Sequence, residues 1–200
     1  MDPRDFLKER LKNPGIKKKY DALELRYTIV GGVNGVGKTT FIRAHSDLSP
    51  SSGQVIDADQ ITARLGGNSL LGGKTAIKRI RESIHNRESF LQETTLSGYR
   101  TRATAKQVLK LGYNVHLIYI GLDTVEESLR RIENRVREGG HNVPTEDVIR
   151  RFLHRWEAVA QLLPYCKEAV FYDNTKDFVT VAEYRDGQLS IFDNHTCSWA

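Results

Sequence analysis

Short apolar runs alternate along this chain with longer stretches in which apolar residues recur every three or four positions. The short runs predict strands at 26–30, 54–57, 89–93, 114–122 and 169–172. The spaced stretches predict helices at 39–45, 61–65, 74–87, 102–111, 125–136 and 146–163. Strands that alternate with helices predict an α/β fold with a parallel sheet and helices on both faces.

Turn residues divide the pattern further. The glycine pairs at 66–67 and 72–73 predict breaks between helical segments, and Asp186-Gly187 between two alternating runs predicts a C-terminal β-hairpin. Before the first strand, Asn13-Pro14-Gly15 separates two short helical pieces. We therefore expect an N-terminal helical arm at 1–25, a core at 26–176, and a hairpin with a tail at 177–200.

One motif directly follows the first predicted strand and opens the next helix. Residues 32–39 read GVNGVGKT, which matches the P-loop pattern GxxxxGK followed by Ser or Thr. In such a loop the backbone N–H groups surround the phosphates, the lysine adds a positive charge, and the hydroxyl binds Mg²⁺. The sequence thus predicts a P-loop NTPase-type fold that binds ATP, with Mg²⁺ on Thr39. The expected nucleotide-binding residues are Gly32, Asn34, Gly35, Val36, Gly37, Lys38, Thr39 and Thr40.

Composition and charge narrow the range of partners and locations expected for the protein. The chain has 200 residues and a net charge of +5, which suits either a nucleic-acid surface or a site for polyanionic phosphates. Many of the cations alternate with acids between 130 and 155, so we favour the phosphate site and expect no nucleic-acid partner. No apolar run approaches the roughly 20 residues of a membrane span, and the N-terminus lacks a signal or transit pattern. A cytoplasmic location without membrane contact follows as an expectation.

Acidic residues stand at the ends of the two strands that follow the P-loop in sequence. Asp57 and Asp59 follow the second strand, and Glu93 ends the third. In a doubly wound sheet these positions converge on the P-loop, where a kinase needs a carboxylate near the γ-phosphate and groups that hold Mg²⁺. The alternative is that they only cap the next helix.

Arginines between 130 and 155 are candidates to neutralise the charge that develops during phosphoryl transfer. Gly139-Gly140 would let a segment at about 130–147 close as a lid. The alternative is a set of solvated helix residues, and composition does not choose between the two.

The order of four motifs resembles the zeta-toxin-like bacterial kinases, also known as predicted ABC-type ATPases. These motifs are GGVNGVGKTT at 31–40, DAD at 57–59, ETTLSG at 93–98, and RVREGGHNVP at 135–144 followed by RRF at 150–152. The resemblance extends over roughly residues 27 to 174.

This resemblance implies a kinase that uses ATP to phosphorylate the 3′-hydroxyl of the sugar in UDP-N-acetylglucosamine, restrained by an antitoxin protein. Lys38 and Thr39 would bind phosphates and Mg²⁺, and Asp59 would be the general base. Glu93 and Thr95 match residues that hold the sugar nucleotide, and Arg135 matches a charge-stabilising arginine. The further substrate-binding candidates are Asp57 and Arg102.

The sequence departs from the family in the lid, where a second catalytic arginine is replaced by GHNVP at 140–144. His141, Arg150 and Arg151 are the candidates to replace it, and Arg150 is counted among the catalytic residues. Two other functions stay open: a nucleotide-binding ATPase or regulatory module without an acceptor, and a polynucleotide kinase. Asp59 distinguishes the kinase from the regulatory module, because a regulatory module has no need for a base that faces an acceptor.

Overall fold

A computed structural model describes residues 24–45 and 54–192, together with 9, 10, 12, 13, 15 and 48. Within this part the strands are β1 (Arg26–Gly31), β2 (Val55–Asp57), β3 (Phe90–Thr94), β4 (Asn114–Gly121), β5 (Glu168–Asp173), β6 (Val179–Arg185) and β7 (Gln188–Ile191). The helices are α1 (Lys38–Ala44), α2 (Ala58–Arg64), α3 (Ser69–His85), α4 (Arg100–Lys110), α5 (Val125–Arg137), α6 (Thr145–Leu153) and α7 (Arg155–Leu162), followed by a 3₁₀ turn at Leu163–Tyr165.

The strands form one seven-stranded sheet in the order β2-β3-β1-β4-β5-β6-β7. The first five are parallel, and β6 and β7 continue the sheet antiparallel to their neighbours. Strand β1 is the middle one of the five parallel strands, and its Val30 pairs with Glu93 of β3 and with Ile118 of β4. The carboxyl ends of β1, β2 and β3 therefore meet at the loop that follows β1. The predicted α/β fold is confirmed.

The two faces of the sheet are buried under different helices, as the period-2 alternation of side chains requires. Tyr27 and Ile29 belong to a core with residues of α2, α3, α4 and α7, whereas Val30 belongs to a second core with residues of α1 and α6. All three side chains are fully buried. The expected placement of helices on both faces is confirmed.

The predicted helix break at Gly72-Gly73 is wrong, because α3 runs without interruption through both glycines. Asn68 starts this helix by accepting a hydrogen bond from the N–H of Leu71 at 3.0 Å. A Cβ at Gly72 would lie 1.9 Å from the hydroxyl of Thr62 on α2. Gly72 therefore serves the close packing of two helices and does not end one.

The single helix predicted at 146–163 is also wrong. Helix α6 ends at Leu153 and α7 begins at Arg155, with His154 between them. The guanidinium of Arg155 donates to the carbonyl of Phe152 at 2.5 Å and lies 3.7 Å from the centre of its ring. These contacts satisfy the end of α6 and turn the chain, so α7 packs on the opposite face of the sheet from α6.

The predicted C-terminal hairpin is present as β6 and β7. Its turn contains Asp186 at φ 52° and Gly187 at φ 81°, the positive values that a tight two-residue hairpin turn requires. The predicted N-terminal arm and the C-terminal tail lie largely outside the described residues. In the described part of the chain, no helix has both the length and the apolar character needed to cross a bilayer.

Candidate functional site

The predicted P-loop connects β1 to α1 and surrounds the start of that helix. Gly32 begins the loop at the end of the strand, and Lys38 is the first helical residue. The Nζ atom of Lys38 donates to the carbonyl of Val33 at 2.9 Å, within the loop itself. The side chain of Lys38 is buried, so its charge lies inside the loop and not in solvent.

Strand β3 brings Glu93 against the loop. The Thr39 hydroxyl lies 3.1 Å from Oε1 and 2.9 Å from Oε2 of Glu93, and Lys38 Nζ lies 4.0 Å from Oε1. These contacts follow from the register of β1 on β3, which sets Val30 beside Glu93. The first hydroxyl and the lysine of the motif thus share one carboxylate.

Burial dominates the electrostatics of this pair. It raises the pKa of Glu93 from 4.5 to about 7, although the charge of Lys38 acts in the opposite direction. Burial also lowers the pKa of Lys38, against the attraction of Glu93, Asp59 and Asp57. A carboxyl and an amine whose pKa values are both perturbed by burial and by a specific charge partner are typical of functional sites.

Asp57 and Asp59 have different surroundings although they are two residues apart. Asp57 is buried and caps α2, because its Oδ1 accepts from the N–H groups of Asp59 at 2.8 Å and Gln60 at 3.1 Å. The capping alternative raised for the strand-end acids therefore holds for Asp57. Asp59 is exposed and lines two cavities.

Two cavities meet at this point. One, of about 340 Å³, contains the P-loop residues Gly35, Gly37 and Thr40 together with Arg135. The other, of about 630 Å³, extends towards Thr95 and the segment 141–144. The residues that line both are Asn34, Lys38, Asp57, Asp59, Glu93 and His141. We call the first the nucleotide cavity and the second the acceptor cavity, and the shared residues form their junction.

The arginines predicted to stabilise developing charge occupy three different positions. Arg135 lines the nucleotide cavity, and its Nη2 donates to the carbonyl of His141 at 2.8 Å. Arg151 reaches the P-loop, where its Nη1 donates to Asn34 Oδ1 at 2.6 Å. Arg150 pairs with Asp147 and is 60% exposed, against 20% for Arg151. Of the two neighbours, the structure brings Arg151 and not Arg150 to the junction.

A third cavity, the arginine cleft, continues from the acceptor cavity and shares Thr95 and Arg151 with it. Its volume is about 450 Å³. The cations that line it are Arg102, Arg150, Arg151 and Arg155. Arg102 donates to Gln161 at 2.5 Å, so the structure places this predicted residue in the cleft and away from the P-loop.

Sequence reasoning missed two residues beside the P-loop. Arg131, one turn before Arg135, lines the nucleotide cavity. Asn174, directly after β5, is buried and donates through Nδ2 to the carbonyl of Val36 at 2.8 Å. The one available signal for Asn174 was its position, because a polar residue at the carboxyl end of a parallel strand lies on the ligand-binding edge.

The oxygen donors at and beside the junction fit Mg²⁺. Thr39, Glu93 and Asp57 offer oxygen atoms, the ligands that this hard cation prefers. In the described part of the chain, no group of three or more His, Cys, Asp or Glu has the geometry of a complete metal site. Mg²⁺ usually binds one or two carboxylates together with substrate phosphates.

Comparisons with known proteins show the family of the chain and the fold that it shares with solved structures. The profile of a family described as an AAA domain matches residues 28–159. An uncharacterized protein of Haemophilus influenzae is 31% identical over 140 residues, which cover 68% of this chain and 97% of that protein.

Two solved structures share the fold. One is a crystal structure of AvrRxo1-ORF1:AvrRxo1-ORF2 with sulphate ions, at 15% identity and a TM-score of 0.68; the match covers 88% of this chain and 63% of that chain. The same pair has also been solved with ATP. The other, the PezAT toxin-antitoxin system of Streptococcus pneumoniae, matches at 20% identity and a TM-score of 0.58, over 78% of this chain and 70% of its own.

This chain thus spans less than two thirds of the chain that it matches in the AvrRxo1-ORF1:AvrRxo1-ORF2 structure. The P-loop and the overall fold are those of a kinase-like P-loop protein, and the predicted resemblance is confirmed at this level. The chain belongs to the AAA domain family, and its fold is that of the zeta-toxin-like P-loop kinases that its sequence resembles.

Proposed function

We propose that this protein is an ATP-dependent phosphotransferase that transfers the γ-phosphate to a hydroxyl group of a small molecule. The observation that carries the proposal is the junction itself. Lys38 and Asp59 line both the nucleotide cavity and the acceptor cavity. A phosphate held by the P-loop and a hydroxyl in the acceptor cavity would therefore meet between Lys38 and the exposed carboxylate of Asp59. A regulatory ATPase has no need for the second cavity.

On the nucleotide side, Lys38 would leave the carbonyl of Val33 and bind the β- and γ-phosphates. Thr39 and Glu93 would hold Mg²⁺, which neutralises phosphate charge when bound. The Thr39 hydroxyl already lies 2.9 Å from Glu93, so the two oxygens stand close enough to serve one cation. The pKa of Glu93, raised to about 7 by burial, would fall as the cation takes the place of a proton.

Asp59 is the proposed general base. It accepts the proton of the acceptor hydroxyl, the hydroxyl oxygen forms a bond to the γ-phosphorus, and the bond from that phosphorus to the oxygen of the leaving ADP breaks. Asp57 is less suited to this role because its Oδ1 already accepts two backbone hydrogen bonds. Asp59 is exposed at the junction and is free of that duty.

Arg135 and Arg151 are proposed to stabilise the charge that develops on the transferred group. Arg135 reaches the nucleotide cavity from α5, and Arg151 reaches Asn34 of the P-loop from α6. Within the described residues, Nε of Arg151 is buried without a hydrogen-bond partner. A buried donor in this state is costly, and an oxygen of the phosphoryl group would satisfy it. Arg151 therefore fills the role for which Arg150 was expected.

For the acceptor we propose a sugar nucleotide, with UDP-N-acetylglucosamine as the first candidate. The sugar would occupy the acceptor cavity beside Glu93 and Thr95, and the diphosphate would extend into the arginine cleft. Arginine is suited to this contact because its planar donors bind phosphate oxygens in pairs. A neutral acceptor would leave the cations of the cleft, Arg102 and Arg155 among them, without a ligand.

We further propose an antitoxin protein as a partner. The ground is the fold shared with PezAT, which is a toxin-antitoxin system. Expression of the wild-type chain in a bacterial host should then arrest growth, and the Asp59→Ala variant should not. Equal growth of cells that express either chain would contradict a toxin role and leave the enzymatic proposal standing.

The kinase proposal is tested by mass spectrometry of UDP-N-acetylglucosamine after incubation with the protein, ATP and Mg²⁺. The expected product gains one phosphate, and the Asp59→Ala variant yields none. Unchanged sugar nucleotide in the presence of protein that binds ATP would reject this acceptor.

The cations of the arginine cleft would also suit the phosphates of a nucleic-acid end, which makes a polynucleotide kinase the second candidate. An oligonucleotide phosphorylated in the same assay, with affinity that falls steeply as salt rises, would support it.

A further inference from the structure

Asn174 touches the P-loop from outside the nucleotide cavity. Its Nδ2 donates to the carbonyl of Val36 at 2.8 Å, and its own backbone N–H donates to Gly121 at 3.0 Å, which fixes it to the end of β4. A Cβ added to Gly37 would lie 2.6 Å from the same Nδ2 atom. The amide therefore packs against two successive residues of the loop, and Gly37 is needed to make room for it.

The hydrogen bond from Asn174 fixes the orientation of the peptide group that carries the Val36 carbonyl. A P-loop binds phosphate through N–H groups that point inward, so the carbonyls between them must point outward. The side chain of Val36 is fully buried, and Asn174 gives its carbonyl a partner on the outer side. Because the Val36 carbonyl accepts the hydrogen bond, the NH₂ group of Asn174 and not its oxygen must face it. This requirement fixes the orientation of the amide.

Arg131 holds Asn174 in turn. Its Nη2 donates to the carbonyls of Asn174 at 2.8 Å and Thr175 at 3.1 Å, and its Nε donates to Glu127 at 2.7 Å. Hydrogen bonds from two arginines lower the pKa of Glu127 to about 2, so Glu127 stays ionised at neutral pH. Helix α5 is thereby joined to the segment after β5.

The same helix also contacts the loop directly and carries a candidate catalytic group. A Cβ at Gly35 would lie 2.6 Å from the carbonyl of Ser128 on α5. One turn beyond Arg131, Arg135 lines the nucleotide cavity. A single helix therefore positions both a charge-stabilising arginine and, through Arg131 and Asn174, the outer side of the P-loop.

From these contacts we infer that Asn174 is a positioning residue that holds the P-loop in its phosphate-binding conformation, and that Arg131 acts through Asn174. This inference rests on the proposed binding of ATP and goes beyond it, because it assigns the shape of the loop to residues outside the motif. It does not depend on the identity of the acceptor.

The test is calorimetric titration with ATP and Mg²⁺ of the wild type, Asn174→Ala, Arg131→Lys and the double variant. Loss of one buried hydrogen bond predicts about tenfold weaker binding for Asn174→Ala. Arg131→Lys keeps the charge but bonds fewer carbonyls, so a loss of roughly threefold is expected. If Arg131 acts through Asn174, the double variant binds no more weakly than Asn174→Ala, because the two changes remove one linkage.

Ser89→Ala is the matched control. It removes side-chain hydrogen bonds to the backbone of Arg26 and Glu24 at the opposite end of the sheet, so it should lower the melting temperature and leave ATP affinity unchanged. An Asn174→Ala variant that melts earlier but binds ATP like the wild type would overturn the positioning role.

Two further outcomes separate the parts of the inference. Losses that multiply in the double variant would show that Arg131 acts on ATP independently of Asn174, and would overturn that link. A wild type that fails to bind ATP would overturn the proposed function itself, and the positioning role with it.

Discussion

The hydroxyl of Thr39, in the P-loop, lies 3.1 Å and 2.9 Å from the two carboxylate oxygens of Glu93, at the end of the neighbouring strand β3. The contact joins the nucleotide cavity to the acceptor cavity, because Glu93 lines both. It also puts a carboxylate with a raised pKa beside the residue expected to bind Mg²⁺. Several properties of the protein should depend on this pair and its surroundings.

Glu93 should make the ligand-free protein less stable as pH rises. Its pKa is about 7 in the folded state and 4.5 ordinarily, so between these values the folded state binds more protons than the unfolded state. The free energy of unfolding should therefore fall between about pH 4.5 and pH 7, by on the order of 2 kcal/mol. Urea unfolding across this range should show the fall in the wild type and a shallower one in Glu93→Gln. The same slope in both proteins would reject the raised pKa; Glu133→Gln, an exposed site on α5, is the control.

Removal of the Lys38 charge should abolish tight ATP binding. The Lys38 side chain is buried within the P-loop, and a charge-assisted contact to phosphate is lost in Lys38→Ala and in Lys38→Met, which keeps the apolar stem. We expect affinity to fall at least about tenfold, measured by calorimetry. Lys78→Ala, on an exposed ion pair of α3, should bind normally. Tight binding by Lys38→Met would show that the lysine makes no important phosphate contact.

Substitution of Asp59 should lower the transfer rate, whereas substitution of Asp57 should lower the free energy of unfolding. Asp59→Ala and the isosteric Asp59→Asn should bind ATP like the wild type and lower the transfer rate by about 10² to 10⁴-fold, because the base is absent. Asp57→Ala should lower the free energy of unfolding by about 1 kcal/mol, because it removes the cap of α2. Product formation by mass spectrometry and urea unfolding check the two effects. An equal loss of ATP affinity in the Asp59 variants would contradict the role of a base.

Arg135→Ala should lower the transfer rate by about 10³-fold or more, since a cation aimed at the transferring group stabilises its charge. Arg137→Ala is the control, because Arg137 lies two residues away and is 70% exposed. Within the described residues its guanidinium pairs with Glu133 alone. Single-turnover rates measure both. A near-normal rate in Arg135→Ala would leave Arg151 as the main source of charge.

Arg150 and Arg151 form a second matched pair. Arg151→Ala should reduce transfer by roughly 10²-fold or more, because it removes the side chain that reaches Asn34. Arg150→Ala should transfer at a normal rate, with a higher KM for an anionic acceptor because Arg150 lines the arginine cleft. The reverse ranking of the two rates would return the catalytic role to Arg150.

The difference between Arg150 and Arg151 could be predicted from the sequence only in part. Both stand in one helix, and their chemistry is identical. Val148 and Phe152 are buried, so residue 151 lies beside that buried face and residue 150 turns outward. This periodicity was present in the sequence, but which surface the face of α6 covers depends on how the helix packs over the P-loop.

The two glycine pairs show the same limit of prediction from local sequence. Gly72-Gly73 and Gly66-Gly67 look alike as sequence, yet the first pair lies inside α3 and the second precedes it. The difference comes from Thr62 on α2, which occupies the space where a Cβ of Gly72 would stand. A local rule predicted a break at both sites, and tertiary packing overruled it at one.

By itself the sequence determined the P-loop, the parallel sheet and the acids at its edge, because a contiguous motif and the period of apolar residues are local properties of the chain. The tertiary structure alone decided that Asn174 meets Val36 and Arg151 meets Asn34, contacts that join residues 138 and 117 positions apart. The position of Asn174 after a strand was readable from the sequence, but its pairing with Val36 was not. Contacts of this kind exist because parallel strands bring distant carboxyl ends to one edge, where only the packing of helices on the sheet selects the neighbours.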